Sequence, residues 1–243
     1  MTRFFVTPEE MTEGVIYLTD ANLNHAKVLR LKSGEEVLVF DGQGSQCLCR
    51  VEQAESDRLP LTVLERSNAT TEASVTVRIY MAFPKADKLE HVIQKATELG
   101  AHEIIAFPSS RCVSRPDDKS LQKKLERWQK IAASAAEQSG RSVIPKIRTL
   151  KSYAQALEEA AAADMPILFY ENEHATTLRM ALESKPWKTI SLLTGPEGGL
   201  EEKEVTQAAA VGLQVCTLGA RILRCETAPL CALSAVMYAA GEF

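Results

Sequence analysis

Long apolar runs are missing from this chain. Nothing in it approaches the roughly 18 to 20 residues that a spanning helix needs, and its start, Met1-Thr2-Arg3-Phe4-Phe5-Val6, has no hydrophobic segment of the signal-peptide type. The expectation is a cytoplasmic protein with no membrane partner. Cys-x-x-Cys pairs are absent as well. The six cysteines, Cys47, Cys49, Cys112, Cys216, Cys225 and Cys231, are spread over 243 residues and read as reduced thiols, not as a disulfide framework or a zinc site. His25, His91, His102 and His174 are scattered without ligand spacing, so no metal is expected. What remains is 45% apolar and 25% charged, with 12 glycines and 10 prolines, which excludes disordered, collagenous and fibrous readings. The length allows one large domain or two modest ones.

A net charge of −4 argues against nucleic acid until the charges are placed. Between Arg111 and Lys151 stand eleven basic residues (Arg111, Arg115, Lys119, Lys123, Lys124, Arg127, Lys130, Arg141, Lys146, Arg148 and Lys151) against four acidic ones (Asp117, Asp118, Glu126 and Glu137). Affinity for phosphates follows local potential, so this segment is a candidate nucleic-acid face. A solvated helix face would look the same.

Up to about residue 66 the pattern is of short strands: Gly14 to Leu18, Glu35 to Asp41, Ser45 to Val51 and Leu61 to Glu65. Asp41-Gly42-Gln43-Gly44 supplies a hairpin turn, and a helix from about Asn22 to Arg30 interrupts the run. The polar stretch Ser67 to Ser74 reads as a boundary, dividing the chain into a β-rich module over 1–70 and a second domain over 74–243. From Val75 onward strands alternate with helices. Strands are expected at Val75 to Phe83, Ile104 to Phe107, Pro166 to Tyr170, Thr189 to Thr194 and Leu213 to Leu218. Helices are expected at Ala86 to Leu99, about Lys119 to Gln138, Ser152 to Ala163, Glu201 to Val211 and Glu226 to Ala240. Such alternation predicts an α/β fold with a mostly parallel sheet covered by helices. The last helix is apolar nearly all round, which suits a subunit interface.

Open parallel sheets bind ligands beyond the carboxyl ends of their strands. Three late loops there are unusual: Leu168-Phe169-Tyr170-Glu171-Asn172; Leu193-Thr194-Gly195-Pro196-Glu197-Gly198-Gly199-Leu200; and Leu218 to Ala228, where Arg221 and Arg224 stand beside Glu226. Glycines in the second let backbone groups approach a ligand before a helix start. Its spacing is neither G-x-G-x-x-G nor G-x-x-x-x-G-K-[ST], which weakens a dinucleotide or nucleoside-triphosphate reading. A tight strand-to-helix turn remains open for it, and a helix-start ion pair for the third. Glu137-Gln138-Ser139-Gly140-Arg141 fits a helix C-cap, or a carboxylate, amide and guanidinium set to read a base edge and its phosphate.

Glu137 to Arg141 followed by Pro145, Gly195-Pro196-Glu197-Gly198-Gly199, and Leu218-Gly219-x-Arg221-Ile222-Leu223-Arg224-x-Glu226-Thr227-Ala228 resemble, in this order and separation, the ribosomal small-subunit RNA methyltransferase E family. The likeness extends to Asn24-His25-Ala26-Lys27-Val28-Leu29-Arg30 and to Lys95-Ala96-Thr97-Glu98-Leu99-Gly100, and so spans nearly the whole chain. It implies a PUA-like RNA-binding β-barrel followed by a SPOUT methyltransferase domain with a deep trefoil knot, assembled as a homodimer. It further implies S-adenosylmethionine as methyl donor and N3 of a decoding-region uridine in 16S rRNA as acceptor, within the 30S subunit. The implied cofactor residues are Leu168 and Tyr170 in the first loop, Leu193, Thr194, Gly195 and Gly199 in the second, and Leu218, Gly219, Ile222, Leu223 and Ala228 in the third. Cys225 departs from the threonine that relatives often carry.

Attack by an imide nitrogen on a sulfonium methyl profits from an anion stabiliser and a base, for which Arg224 and Glu226 are the candidates, the latter if burial raises its pKa. Arg3, Arg30, Lys32, Arg111, Lys124 and Arg141, with Glu137 and Gln138, are the expected RNA contacts. A non-catalytic RNA-binding factor would leave the late loops without purpose, and a nicotinamide-dependent oxidoreductase would lack its glycine fingerprint.

Overall fold

The computed structural model describes residues 1–68, 71–114 and 116–243, together forming two compact units. Ala69 and Thr70 of the expected boundary stretch and Arg115 of the basic segment lie outside the described residues.

The first unit comprises Met1–Glu72 and Ala136–Ile144. The segment 136–144, which the sequence division leaves in the C-terminal half, therefore clusters with the β-rich module. Its strands are β1 (Thr2–Phe5), β2 (Val15–Leu18), β3 (Glu36–Phe40), β4 (Ser45–Val51) and β5 (Leu59–Asn68), with α1 (Asp20–Val28) between the second and third. They form one sheet in the order β1-β3-β4-β5-β2, parallel at β1/β3 and antiparallel elsewhere. Alternation puts Val37 and Val39 of β3 and Cys47, Cys49 and Val51 of β4 into a core shared with Phe4, Ile16, Leu18 and Leu61, and Leu23 and Ala26 of α1 join it. The Asp41 carboxylate closes the β3–β4 turn by accepting from the Gln43 and Ser45 amides at 2.8 and 3.0 Å.

The second unit comprises Ala73–Ala135 and Pro145–Phe243. Its elements run β6 (Thr76–Ala82), α2 (Lys88–Glu98), β7 (Glu103–Phe107), α3 (Asp118–Ser139, whose last turn clusters with the first unit), β8 (Lys146–Thr149), α4 (Tyr153–Ala161), β9 (Met165–Phe169), α5 (Leu178–Glu183), β10 (Thr189–Thr194), α6 (Glu202–Ala210), β11 (Gln214–Cys216) and α7 (Thr227–Ala240). The six strands make an all-parallel sheet in the order β11-β9-β10-β6-β7-β8. Central strands covered on both faces read as continuous apolar runs, and Met165-Pro166-Ile167-Leu168-Phe169 is buried throughout. On α2 the stripe Leu89, Val92, Ile93 and Ala96 is buried, and the helix ends at Gly100, φ +94°, where the Ala101 amide returns to the Ala96 carbonyl at 2.9 Å. Each fully buried aliphatic side chain of this kind contributes about 1.5–3 kcal/mol.

Three consequences position the site. In this order β9 is flanked by β10 and β11, so the loops leaving their carboxyl ends at Phe169, Thr194 and Cys216 lie side by side. A capping box between Glu201 and Glu204 starts α6 directly after the glycine-rich loop. Finally, α7 packs on α2, β6 and β10, which brings the chain back from the sheet edge to its middle. Among the described residues no helix is long and apolar enough to cross a membrane.

Candidate functional site

The three late loops enclose one cavity of about 640 Å³, a volume in the range of small-molecule sites. Its wall gathers Tyr170 from the loop after β9, Thr194, Gly195 and Gly199 from that after β10, and Leu218, Gly219, Ile222, Leu223, Arg224 and Ala228 from that after β11.

The glycine-rich loop folds back on itself. The Gly199 amide donates to the Pro196 carbonyl at 2.9 Å, and a Cβ on Gly195 would stand 3.0 Å from the Gly199 carbonyl carbon. Gly199, at φ +67°, lies so close to the Glu171 carboxylate that a side chain there would collide with it. The loop is also held from outside, where the Arg111 guanidinium donates to the Gly198 carbonyl at 2.8 Å. At the end of β10 the hydroxyl of Thr194, 2% exposed, finds no hydrogen-bond partner among the described residues although Thr194 lines the cavity. A buried hydroxyl left in this way fits a polar ligand, and glycine backbones at three places around the wall fit one that presses closely.

The cavity's charges come from several elements. Arg224 is exposed at its rim, its guanidinium without an ion-pair partner among the described residues. Its carbonyl accepts from the Thr227 and Ala228 amides, both at 2.9 Å, so its backbone is fixed in the turn that leads into α7. Lys88, the first residue of α2, places its ammonium 3.2 Å from Glu197, 3.1 Å from Glu226 and 3.7 Å from the Cys225 sulfur. The Glu226 carboxylate also accepts from the Cys225 thiol at 3.2 Å.

This overturns the expected tuning of Glu226. Burial pushes its carboxyl upward, but its own backbone amide, the Lys88 ammonium and the Cys225 thiol outweigh that, and the group is held below the ordinary glutamate range. Glu226 is an ionised, paired carboxylate, the opposite of a base raised toward neutrality. Burial and the adjacent Glu226 push the Cys225 thiol up to about 12, so it stays protonated and unreactive at neutral pH.

Leu168 and Leu193 are corrected too. Both are wholly buried one residue before the ends of β9 and β10, where neighbouring strands and covering helices enclose them, and neither lines the cavity. Ile222 lines the rim but is 83% exposed. Sequence reasoning did not single out Lys88, Glu171, Glu197, Arg221 or Cys225 as site residues, although all five line the cavity. Four stand inside the flagged strings, but nothing local distinguishes Lys88 from a surface lysine at a helix start.

Among the expected RNA contacts, Arg30 and Lys32 are exposed in the first unit, and Gln138 is exposed at the end of α3. The Arg3 guanidinium is packed against Gly140, and Glu137 lies 3.3 Å from His25 Nδ1. Lys124 sits 5.9 Å above the Trp128 ring, and Arg111 belongs to the glycine-rich loop just described. Arg141 is a correction. Only 6% of its side chain is exposed, and its guanidinium meets the Glu72 carboxylate at 2.5 and 3.1 Å, while the same carboxylate accepts from the Ser142 and Val143 amides at 3.0 and 3.1 Å. A guanidinium spent on a buried partner is not on offer to a phosphate.

A parallel α/β sheet with a loop-built cavity at its carboxyl edge, preceded in sequence by a small β module, is the architecture of a two-domain α/β enzyme. The RNA methyltransferase domain model matches residues 71–237, and the RNA methyltransferase PUA domain model matches residues 18–64. Ribosomal RNA small subunit methyltransferase E of Bacillus subtilis is 38% identical over 98% of this chain and 96% of its own length, and that of Mesomycoplasma hyopneumoniae is 36% identical over 95% and 96%. The crystal structure of Ribosomal RNA small subunit methyltransferase E from Neisseria gonorrhoeae bound to S-adenosyl methionine superposes with a TM-score of 0.84 at 34% identity, covering 98% of this chain and 97% of that one. The chain belongs to the ribosomal RNA small subunit methyltransferase E family.

Proposed function

We propose that this protein methylates N3 of a uridine in 16S rRNA, with S-adenosylmethionine as donor. The observation that carries the reading is that three adjacent carboxyl-end loops build one cavity with an arginine at its rim that has no ion-pair partner among the described residues. The family supports methyl transfer to small-subunit rRNA, and the Neisseria relative's bound S-adenosylmethionine supports the donor.

When bound, the donor supplies a methyl group activated by its sulfonium charge. The backbone at Gly195, Gly199 and Gly219 would hold it, with Tyr170, Leu218, Leu223 and Ala228 as apolar wall and the Thr194 hydroxyl as a polar contact. Arg224 would face the acceptor base, where its positive charge stabilises the negative charge that builds on the uracil oxygens as the N3 proton passes to solvent water, and so lowers the cost of that loss. Holding N3 in line with the methyl carbon supplies much of the remaining acceleration. Glu226 acts through Lys88 and the first turn of α7. The uridine must be unstacked to enter.

The sequence division into an RNA-binding module (1–70) and a methyltransferase domain (74–243) belongs to this proposal, with Arg3, Arg30, Lys32, Arg111, Lys124, Glu137 and Gln138 as RNA contacts. So do a cytoplasmic location, work on the 30S particle, a homodimer through the apolar α7, and a trefoil knot in the second domain. The return of α7 from the edge strand β11 to β6 and β10 supports a threaded chain. Incubation with methyl-labelled donor and 16S rRNA or 30S particles, followed by nucleoside mass spectrometry, tests the reading. 3-Methyluridine is the expected product; label in another nucleoside, or none, overturns it.

A further inference from the structure

We propose that Lys88 is a positioning residue, a two-armed clasp that fastens the glycine-rich loop after β10 to the loop after β11 and so keeps Arg224 at the cavity rim. The proposal rests on the cavity being the methyl-transfer site, as read above.

One arm reaches Glu197, within the glycine-rich loop, at 3.2 Å; the other reaches Glu226, in the turn that Arg224 opens, at 3.1 Å. Exposed ion pairs are worth little, but the Lys88 side chain is only 27% exposed and those of Glu197 and Glu226 28% and 21%. Removing the lysine would leave two carboxylates on different loops without the cation they share.

A second observation comes from the approach to α2. The Glu197 carboxylate also accepts from the Lys85 amide at 2.9 Å, and between Lys85 and Lys88 the backbone of Ala86 is left-handed, φ +53°. A residue with a Cβ stays in that region only where its surroundings fix it, and such strain clusters at functional sites. Glu197 grips the turn from both sides, by the Lys85 amide and the Lys88 side chain. The strained turn thus aims the first residue of α2 into the cavity. Lys88 itself is no proton acceptor, because Glu226 and Glu197 hold its pKa above the ordinary lysine value.

The clasp predicts a shared response of two loops that are far apart in sequence. Amide hydrogen exchange on the full-length protein, with neither donor nor RNA present, reads it directly. In Lys88→Met the amides of Lys85 and Gly199 on one side, and Thr227 and Ala228 on the other, should exchange about fivefold faster or more, while those of β6 and β10 keep their wild-type rates. Lys88→Arg should stay near wild type. In methyl transfer to 30S particles, Lys88→Met should lose about tenfold or more in kcat with KM for the particle within about threefold, and Lys88→Arg should recover most of the loss. Glu226→Gln cuts one arm only, freeing Thr227 and Ala228 and leaving Lys85 protected; it also carries the test if Lys88→Met unfolds. Wild-type exchange in either loop of Lys88→Met, a Lys88→Arg protein no better than Lys88→Met, or Lys85 freed by Glu226→Gln overturns the clasp. A wild-type protein that neither binds S-adenosylmethionine in calorimetry nor methylates rRNA overturns the functional reading instead, and the exchange data still decide on Lys88.

Discussion

Arg141 and Arg224 stand in similar short strings, each with a glutamate and a glycine close by, yet the fold gives them opposite surroundings. Arg141 is buried against Glu72, which two backbone amides also hold, and so serves to fasten 136–144 within the first unit. Arg224 has its carbonyl tied to the first turn of α7, and its guanidinium, at the cavity rim, has no ion-pair partner among the described residues. The same side chain is a fastener where it is desolvated with a partner, and where only its backbone is held it is the group that the proposed reaction uses.

Substitution at each arginine sharpens the contrast. Arg224→Ala should lower kcat by about 10² to 10³, as for loss of one preorganised donor, while stability stays within about 0.5 kcal/mol of wild type because nothing buried is lost. Steady-state rates and urea melts of one preparation check both halves, and a destabilised Arg224→Ala would break the comparison. Arg141→Ala should do the reverse on stability, costing about 3 kcal/mol, since it leaves the Glu72 carboxylate part-buried without its counterion. A urea midpoint near wild type would return Arg141 to the RNA contacts.

The smallest effect is one of pH. Burial pushes the Glu72 carboxyl upward, but Arg141 and the Ser142 and Val143 amides prevail and hold it below the ordinary glutamate value. Its contribution is therefore complete above about pH 4.3, the unfolded value, and is lost as pH falls through the lower folded value. Glu72→Gln should be less stable than wild type at neutral pH, the gap closing as the medium is acidified below that point. Chemical melts at stepped pH measure it, and a gap that widens toward acid would contradict the pairing.

How far such differences could be read beforehand varies along the chain. The long apolar strands β6, β9 and β10 and the striped helix α2 announce themselves, because burial on both faces or on one stripe imposes a pattern on consecutive residues. Strand β1 does not; it is four residues long and is stabilised by parallel pairing with β3, more than thirty positions away. Strand β5 runs on to Asn68 because Ser45 pairs with it, although Ser67 and Asn68 are exposed and read as linker. Lys146-Ile147-Arg148-Thr149 and the six-residue α5 are likewise too short to carry a period. At the site, glycines that the backbone requires were visible in the two late motifs. The work of Lys88 was not, since Glu197 and Glu226 become its neighbours only when three elements meet. Arg141 shows the converse failing, because a charged string gives no sign of whether a buried partner waits for it.

The order of the parallel sheet also sets a timetable. Strands β6, β7 and β8 can join one another as they leave the ribosome, each finding its neighbour already made. Strand β9 has none until β10 slips in between it and β6, and the pouch needs β11 and α7 after that. A chain cut short ahead of β11 would therefore retain every pairing among the other five strands but lack the third wall of the cavity, so the last few dozen residues decide whether the pouch can form.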